Sequence, residues 1–342
     1  MALYVLILAA VGIYIFLDIQ KNKKLPMFSN PPGSPVVNRE DNPEGWRKFF
    51  WERMLDRTKI VIPQGHVVPE AEVLKNISAL NGRDAVTWLG HASFLLHLDG
   101  LNILTDPWLS PRASPFRWLF GPKRFVPPGL RVEKLPPIDV LLISHNHYDH
   151  LDYETLRKLP NKDKITVVTP LGNGRLLRPL GFTNVIELNW EDTSIVKDLS
   201  VTVLPAIHFS ARTPWDTNRM LWGGFAISGR TQKLYFSGDT THGPVFKTLA
   251  HHGPFDAGMI GIGAYDPVEL MKASHATPEQ AVSIAKDLGV KTVIGMHWGT
   301  VRMTNEATFE PPERFRRAGA EAGYVPDALW VLNIGETRLL KP

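Results

Sequence analysis

Short apolar segments recur along the chain from Asp84 to the C-terminus, separated by turn-forming residues. The stretch AVTWLGHASFLLHLDGLNILTDP contains two or three of them, with Asp99 and Gly100 between alternating apolar runs. A dipeptide of this kind is a strong signal for a β-hairpin. Further strands are predicted at DVLLISH, KITVVTP, VTVLPAIH, GGFAISG, KLYFSGD, AGMIGIG, KTVIGMHWG and ALWVLNIGETRLL.

Helices are predicted between the later strands, at YETLRKLP, PVFKTLAHHG, TPEQAVSIAKDLG and PPERFRRAGAEAG. The third has the clearest boundaries. Thr277 and Gln280 form a capping box around Pro278, and Gly289 ends the helix. Strands dominate the first part of this region and alternate with helices later, which predicts two sheets packed on each other with helices outside.

The N-terminus has a different pattern. Residues 2–17 are all apolar or small, and Lys21, Lys23 and Lys24 follow them. At about 1.5 Å per residue this run spans roughly 24 Å, slightly short of a hydrocarbon core of about 30 Å. No basic residue precedes the run, so a retained anchor fits better than a cleaved signal peptide or a core helix. We therefore expect a transmembrane or membrane-anchor helix over residues 1–20, with the rest of the chain on the cytoplasmic face.

Residues 21–83 are predicted to be a linker and lead-in segment before a domain over residues 84–342. PMFSNPPGSPVVNRE is proline-rich and typical of an extended linker. PEGWRKFFWERML, residues 43–55, has aromatic and aliphatic residues at helical spacing with basic residues between them. Such a stripe favours packing on the core, and a position on the membrane surface is the alternative.

The segment 108–131 mixes aromatic and basic side chains and has too many prolines for a long helix. This mixture suits a surface that contacts acyl chains and phosphate head groups together. A covering loop packed on the sheet fits the same pattern equally well.

The composition excludes several classes of protein and of site. The chain has no cysteine, which excludes disulfides, thiolate metal sites and a cysteine nucleophile. Its formal net charge is only +4, without a long basic run, which argues against nucleic acid as a partner. Any metal must therefore be held by His, Asp or Glu.

Histidines and aspartates collect directly after predicted strands. His145, His147, Asp149 and His150 follow DVLLIS, His208 follows VTVLPAI, Asp239 follows KLYFSG and His297 follows KTVIGM. Strand ends are a common place for a site, so these turns are expected to converge on one cleft. Seven nitrogen and oxygen donors exceed the four ligands that zinc usually takes, so they predict two metals sharing a carboxylate.

HNHYDHLD, a later isolated histidine, the SGDT aspartate and the MHWGT histidine, in this order, resemble the metallo-β-lactamase superfamily with its HxHxDH signature. WLGHASFLL, LTDPWLSPRASP, GPKRFVPP and GPFDAGMIGIGAYDP extend the resemblance to the N-acylphosphatidylethanolamine-hydrolysing phospholipases D and their bacterial relatives. The resemblance implies an α/β fold, the four-layer αβ/βα sandwich of the metallo-β-lactamase type.

The resemblance also implies roles for individual residues. In the family pattern His145, His147 and His208 bind one zinc, Asp149, His150 and His297 bind the other, and Asp239 bridges both. Two Zn²⁺ per chain are therefore expected, with iron or manganese as alternatives for a His/Asp site. The implied nucleophile is a hydroxide between the metals.

Two further histidines match family positions. His275, in MKASHATPEQ, matches a histidine near the metals, and we expect it to act with Asp149 in catalysis, through phosphate contact or proton donation. A hydrogen bond from His275 to the backbone is the alternative. His91 is expected to support the site rather than to bind metal.

The function implied is membrane-associated hydrolysis of a phospholipid phosphodiester, N-acylphosphatidylethanolamine to N-acylethanolamine and phosphatidic acid. The alternative is lactone or carboxylic ester hydrolysis, because the same superfamily site cleaves those bonds. A nucleolytic activity and a non-catalytic, membrane-anchored metal protein fit the sequence less well. The expected partners are the phospholipid and the membrane, and the resemblance also suggests a homodimer.

Overall fold

The computed structural model describes residues 18–37, 41–56, 58–114 and 121–340. Two seven-stranded sheets form the body of this described part, as the apolar pattern predicts. The strands are β1 (Ala85–Gly90), β2 (Ser93–Leu98), β3 (Leu101–Thr105), β4 (Val140–Leu142), β5 (Thr166–Pro170), β6 (Asn184–Leu188), β7 (Thr193–Val196), β8 (Leu199–Leu204), β9 (Gly224–Ser228), β10 (Lys233–Phe236), β11 (Phe255–Gly261), β12 (Val290–Met296), β13 (Leu329–Trp330) and β14 (Thr337–Leu339).

The first sheet has the strand order β14-β1-β2-β3-β4-β5-β6. Strands β1 to β3 form an antiparallel meander, and Asp99 and Gly100 make its second turn, as predicted, both with positive φ. From β3 to β6 the strands run parallel, so their C-terminal ends share one edge. The apolar pattern misses β6, and it also misses β7 of the second sheet, because each has a single buried residue, Leu188 and Val196.

The second sheet has the order β13-β12-β11-β10-β9-β8-β7. Strands β10 to β13 run parallel, and β7 to β10 pair antiparallel. Two antiparallel steps separate β8 from β10, so these strands point the same way. The C-terminal ends of β8, β10 and β12 therefore lie at one edge of this sheet.

Helices cover the outer faces. They are α1 (Pro43–Leu55), α2 (Glu70–Ser78), α3 (Tyr153–Lys158), α4 (Gly174–Leu177), α5 (Val245–Thr248), α6 (Val268–Met271), α7 (Pro278–Asp287) and α8 (Pro311–Glu321). Helix α7 begins with the predicted capping box: Thr277 Oγ1 accepts from the Gln280 amide, and Gln280 Oε1 accepts from the Thr277 amide. The predicted helix at PVFKTLAHHG is shorter than expected, because α5 gives way to a 3₁₀ turn, Leu249–His252.

Apolar side chains fill three spaces in this arrangement. Between the sheets, Trp88 and Phe94 of the first sheet belong to the same buried cluster as Phe236 of the second. Val73 of α2 and Leu156 of α3 pack with the outer face of the first sheet. Buried residues of α7 and α8 cover the second sheet. At about 1.5–3 kcal/mol per buried large apolar side chain, these layers dominate the stability.

The proline-rich part of the lead-in segment contacts the domain, and its role as a linker stays a prediction. The Asn30 side-chain oxygen accepts a hydrogen bond from the backbone N–H of His208, at 2.9 Å. The Phe28 amide donates to the Asn218 carbonyl at 2.9 Å. The proline-rich stretch therefore lies against the loop that carries one of the predicted ligands.

Helix α1 forms as predicted, but the expectation that its aromatic stripe packs on the core is wrong for Phe50, Trp51 and Leu55, whereas Trp46 and Phe49 are half-buried. Phe50, Trp51 and Leu55 are 55%, 54% and 67% exposed. The helix contacts the domain through polar groups instead, since Arg53 Nη1 donates to the Thr304 carbonyl at 2.9 Å. Its apolar surface is left open.

The segment 108–131 is in part a covering loop. Trp108 is fully buried, and the Arg124 guanidinium lies over its ring and donates to three backbone carbonyls. The expectation that this segment contacts acyl chains and head groups is therefore wrong for these two residues. Residues 115–120 lie outside the described part.

The predicted anchor falls mainly outside the described residues, which begin at Asp18. Residues 18–23 are helical. No helix within the described ranges combines the length and the apolar character needed to cross a bilayer. The anchor over residues 1–20 therefore stays a prediction.

Candidate metal centre

The two sheets bring their C-terminal edges together, and the predicted ligand residues meet there. The HNHYDH turn follows β4, and the carbonyl of His147 accepts from the amides of both His150 and Leu151, which closes the turn. Asp152 ends it by capping α3. The second sheet contributes His208 after β8, Asp239 after β10 and His297 after β12. All seven predicted ligands thus converge on one site.

The first cluster consists of His145, His147, His208 and Asp239, whose donor atoms lie within 4.8 Å of one another. His147 Nδ1 is 2.9 Å from His145 Nε2 and 3.1 Å from His208 Nε2. Asp239 Oδ2 lies 3.9 Å from His145 Nε2 and 3.7 Å from His208 Nε2. Three ring nitrogens and one carboxylate therefore face a common point.

The second cluster consists of Asp149, His150, His297 and His91. Asp149 Oδ2 lies 3.5 Å from His150 Nε2 and 3.7 Å from His297 Nε2. Asp239 also reaches this cluster, since its Oδ2 is 3.2 Å from His150 Nε2 and its Oδ1 is 3.3 Å from His297 Nε2. Asp239 is thus placed between the two clusters, where the sequence predicts the shared carboxylate.

Hydrogen bonds on the far sides of the rings fix which nitrogen faces the site. A carbonyl or carboxylate oxygen only accepts, so the proton is on Nδ1 of His208, which donates to the Ser274 carbonyl at 2.8 Å. His150 Nδ1 likewise donates to Asp106 Oδ2 at 2.7 Å. Their Nε2 atoms therefore carry the free electron pairs that metal binding requires.

Asp106 also fixes the orientation of His145, through Ser144. Its carboxylate accepts from the Ser144 hydroxyl and, at 2.7 Å, from the Ser144 amide. Because that hydroxyl proton points to Asp106, Ser144 Oγ accepts from His145 Nδ1, at 2.8 Å. One buried carboxylate thus sets the tautomers of both His145 and His150.

The carboxylates of Asp149 and Asp239 favour positive charge on the neighbouring histidines of the second cluster. Burial lowers the pKa of His297, but Asp239 and Asp149 overcome this and raise it to about 9. The pKa of His150 is raised well above its usual value, against its burial, by the same carboxylates. In the first cluster, burial and the neighbouring imidazoles hold the pKa of His145 well below its usual value. Without a cation, the second cluster therefore holds positive charge on its own histidines, whereas His145 in the first cluster is a neutral imidazole.

The residues fit two metal ions. Nε2 of His150 and both ring nitrogens of His297 are buried without a hydrogen-bond partner, which is costly unless a cation binds there. With Asp239 counted in both clusters and His91 left out, each cluster offers four His and Asp donors, which matches the coordination number of zinc, and the same donor types accept iron and manganese. The clusters can therefore bind metal, and the individual ligand roles stay predictions.

His275 and His91 flank the clusters. His275 Nδ1 is 3.9 Å from Asp239 Oδ2, and the His275 side chain is 14% exposed at the edge of the site. His91 Nε2 donates to Asp149 Oδ2 at 2.8 Å. This contact is consistent with the expected supporting role of His91, since it orients the carboxylate.

Sequence reasoning misses two residues that hold the site together. Asp106 follows β3 in LTDP, so the rule that selects the ligands also applies to it. Arg212 is half-buried, with its guanidinium over the rings of Tyr148 and Tyr153, and it donates to the carbonyls of Asn146 and Leu151, both at 2.8 Å. Arg212 lies far from the HNHYDH turn in sequence, and no motif indicates this contact.

Residues 101–298, more than half of the chain, match the β-lactamase superfamily domain. The chain therefore belongs to the β-lactamase superfamily, and its two-sheet fold is of the metallo-β-lactamase type. The N-acyl-phosphatidylethanolamine-hydrolyzing phospholipase D 1 of Caenorhabditis elegans is 40% identical over 243 residues, which cover 67% of this chain and 68% of the relative. The resemblance inferred from the motifs is confirmed.

Two other comparisons agree with this family. The mitochondrial N-acyl-phosphatidylethanolamine-hydrolyzing phospholipase D of Saccharomyces cerevisiae is 33% identical over 261 residues, 73% of this chain but only 55% of that protein. The solved structure of Igni18, a metallo hydrolase from Ignicoccus hospitalis, superimposes with a TM-score of 0.54 at 22% identity, covering 75% of this chain and 98% of that one. The structural comparison supports the fold alone.

Proposed function

We propose that the chain hydrolyses a phosphodiester bond of a membrane phospholipid, N-acylphosphatidylethanolamine, with two divalent cations in the metal centre. The observation that carries the reaction class is the pair of donor clusters with Asp239 between them. The 40% identity to the C. elegans phospholipase D supports the substrate. Water adds to phosphorus, the bond to the ethanolamine oxygen breaks, and that oxygen gains a proton, which yields phosphatidic acid and an N-acylethanolamine.

Zinc is the metal we propose, with iron or manganese as alternatives. When bound, two such cations supply a nucleophile at neutral pH and neutralise charge on the phosphoryl oxygens. His145, His147 and His208 would hold one cation, Asp149, His150 and His297 the other, and Asp239 both. His91 keeps Asp149 oriented through its 2.8 Å hydrogen bond.

His275 is the proposed contact to the reacting phosphate. Burial lowers the pKa of His275 to about 4, so its ring is neutral near pH 7. A neutral imidazole donates one hydrogen bond through its N–H but is a poor source of a proton. Of the two roles open to His275, phosphate contact is therefore favoured over proton donation.

A cleft beside His297 supports a lipid substrate. The residues that line it include Arg302, Val301 and Met303. A cation beside apolar groups suits a phosphate with an attached acyl chain. Arg302 is held by Asp56, 2.7 Å away, just after the end of α1.

Membrane association is proposed through α1. Phe50, Trp51 and Leu55 are exposed on a helix whose Arg53 is bonded to Thr304 in the lining of the same cleft. Inserting aromatic and aliphatic side chains into an interface contributes about 1.5–3 kcal/mol for each fully buried one. The anchor over residues 1–20 would add a second attachment, with the domain on the cytoplasmic face. A homodimer stays a prediction.

The decisive assay presents N-acylphosphatidylethanolamine in mixed micelles to the metal-loaded full chain. We expect phosphatidic acid and N-acylethanolamine in equal amounts, and no turnover by His147→Ala. His242→Ala is the matched control, because His242 bonds to Asp287 outside both clusters. A metal-loaded protein that opens lactones and leaves the phospholipid intact would establish the alternative hydrolase activity instead.

A further inference from the structure

A third group of metal-type donors lies outside the metal centre and shares no residue with it. Glu191 occupies the turn between β6 and β7, where its amide donates to the Val203 carbonyl at 2.7 Å. His251 and His252 end the 3₁₀ turn that precedes β11. The donor atoms of these three side chains lie within 4.8 Å of one another.

The spacing of these atoms indicates a shared cation rather than hydrogen bonds. Glu191 Oε2 is 3.5 Å from His251 Nε2 and 3.6 Å from His252 Nε2. Hydrogen bonds between such atoms are shorter, at about 2.7–3.2 Å. Two ligands at tetrahedral zinc, each with a bond of about 2.0–2.1 Å, are roughly 3.3 Å apart. The separations in the metal centre, from 3.2 Å between Asp239 and His150 to 3.9 Å between Asp239 and His145, cover the same range.

The protonation of the rings gives independent support. His251 Nδ1 lies 2.7 Å from the Thr248 carbonyl, so Nδ1 carries the proton and Nε2 presents its electron pair toward Glu191. His252 Nε2 is buried and has no hydrogen-bond partner. A bound cation would satisfy both nitrogens and the carboxylate at once.

We propose that Glu191, His251 and His252 form a separate site for a borderline divalent cation such as Zn²⁺, with water as the fourth ligand. Glu191 lies in the connection from the first sheet to the second, and the histidines lie in the connection from β10 to β11 of the second sheet, so the cation would link these two connections. Glu191 and His251 have side chains 52% and 60% exposed, so this ion should exchange more readily than those of the buried metal centre.

The test is a Zn²⁺ titration of the metal-free full chain. Calorimetry measures the equivalents of zinc bound, and thermal unfolding measures the change in Tm. We expect about three equivalents for the wild type, about two for His251→Ala/His252→Ala, and about two for the milder Glu191→Gln. The zinc-dependent rise in Tm should shrink in both variants. His242→Ala, whose histidine lies 2.9 Å from Asp287 in an ordinary hydrogen bond, should retain all three equivalents.

These outcomes do not depend on the enzymatic reaction. His147→Ala should lose zinc from the metal centre while the exchangeable equivalent that requires Glu191 remains. Titrations of the wild type and of Glu191→Gln that coincide, with equal Tm shifts, would overturn the proposal, as would only millimolar binding of an adventitious ion. Failure of phospholipid hydrolysis leaves this result unaffected.

Discussion

Asp106 and His150 are joined by a buried contact of 2.7 Å between Oδ2 and Nδ1. The same carboxylate accepts hydrogen bonds from Ser144, and Ser144 Oγ in turn accepts a hydrogen bond from His145 Nδ1. Asp106 therefore prepares one histidine for each cluster without itself facing the cations. Its loss should therefore weaken metal binding and lower the stability of the fold.

Asp106→Ala is expected to lower metal affinity about 10–100-fold, as for other residues that orient metal-bound histidines. The buried N–H groups left without an acceptor should also cost about 1–3 kcal/mol each. Competition with a chelator measures the affinity, and denaturant unfolding measures the stability. Asp106→Asn retains an acceptor oxygen, so its metal affinity and its stability should lie between those of the wild type and those of Asp106→Ala. Unchanged affinity in Asp106→Ala would show that the ring orientations are set elsewhere.

Arg212→Lys should loosen the HNHYDH turn. The lysine retains the charge, but it lacks the planar group that stacks between Tyr148 and Tyr153 and bonds two carbonyls. We expect metal affinity to fall several-fold, with little change in the KM for substrate in fully loaded protein. Arg178→Lys is the matched control, since Arg178 pairs with Glu187 at the surface. Equal metal affinities in both variants would rule out a positioning role for Arg212.

Phe50→Ser/Trp51→Ser should reduce hydrolysis of phospholipid in vesicles and leave hydrolysis of a soluble phosphodiester unchanged. The exposed aromatic side chains of α1 make no contribution to the metal centre, so only the interfacial step should suffer. Quenching of Trp fluorescence by brominated lipid, compared between the wild type and Trp51→Phe, reports insertion directly. Ile195→Ser is the control, because Ile195 is 69% exposed on β7. Equal vesicle activity in all variants would remove α1 from the membrane contact.

His66 should make stability depend on pH. Its Nε2 donates to the Gly299 carbonyl at 2.6 Å, and burial lowers its pKa from the usual value near 6.5. His66 is protonated less readily in the folded state than in the unfolded chain. Its contribution to the free energy of unfolding is therefore complete above pH 6.5 and is lost as the pH falls below that value. The difference in unfolding free energy between the wild type and His66→Gln should therefore shrink from pH 7.5 to pH 5.5. A constant difference would contradict the assignment.

The strands and the seven predicted ligands follow from local pattern, because a polar donor directly after an apolar segment marks a strand end. The same rule applies to Asp106, but a single aspartate in a turn has many other uses, so the rule does not select it. Arg212 acts through contacts with a turn about sixty positions away, as in its bond to Leu151, and no local signal reports them. The local sequence pattern therefore identifies the residues that face the site. It does not identify Asp106 and Arg212, which hold those residues in position.

Helix α1 shows a second limit. Its spacing correctly predicts a helix, but spacing does not say which surface is available to cover the apolar side. The loop that receives α1 offers the Thr304 carbonyl, the Asn305 side chain and the Arg302 cation, so the polar side of the helix docks. Phe50 and Trp51 remain exposed because the helix docks on the loop around Thr304, which is remote in sequence.

Both donor clusters draw on both halves of the sandwich: His145, His147, Asp149 and His150 come from the first sheet, and His208, Asp239 and His297 from the second. Cation binding and the docking of one sheet on the other are consequently a single linked equilibrium. A ligand that binds only the folded state adds RT ln(1 + [L]/Kd) to the free energy of unfolding. This is about 4 kcal/mol when the ligand concentration is a thousand times Kd. The supply of metal would thus govern how long the protein survives proteolysis as well as how fast it works.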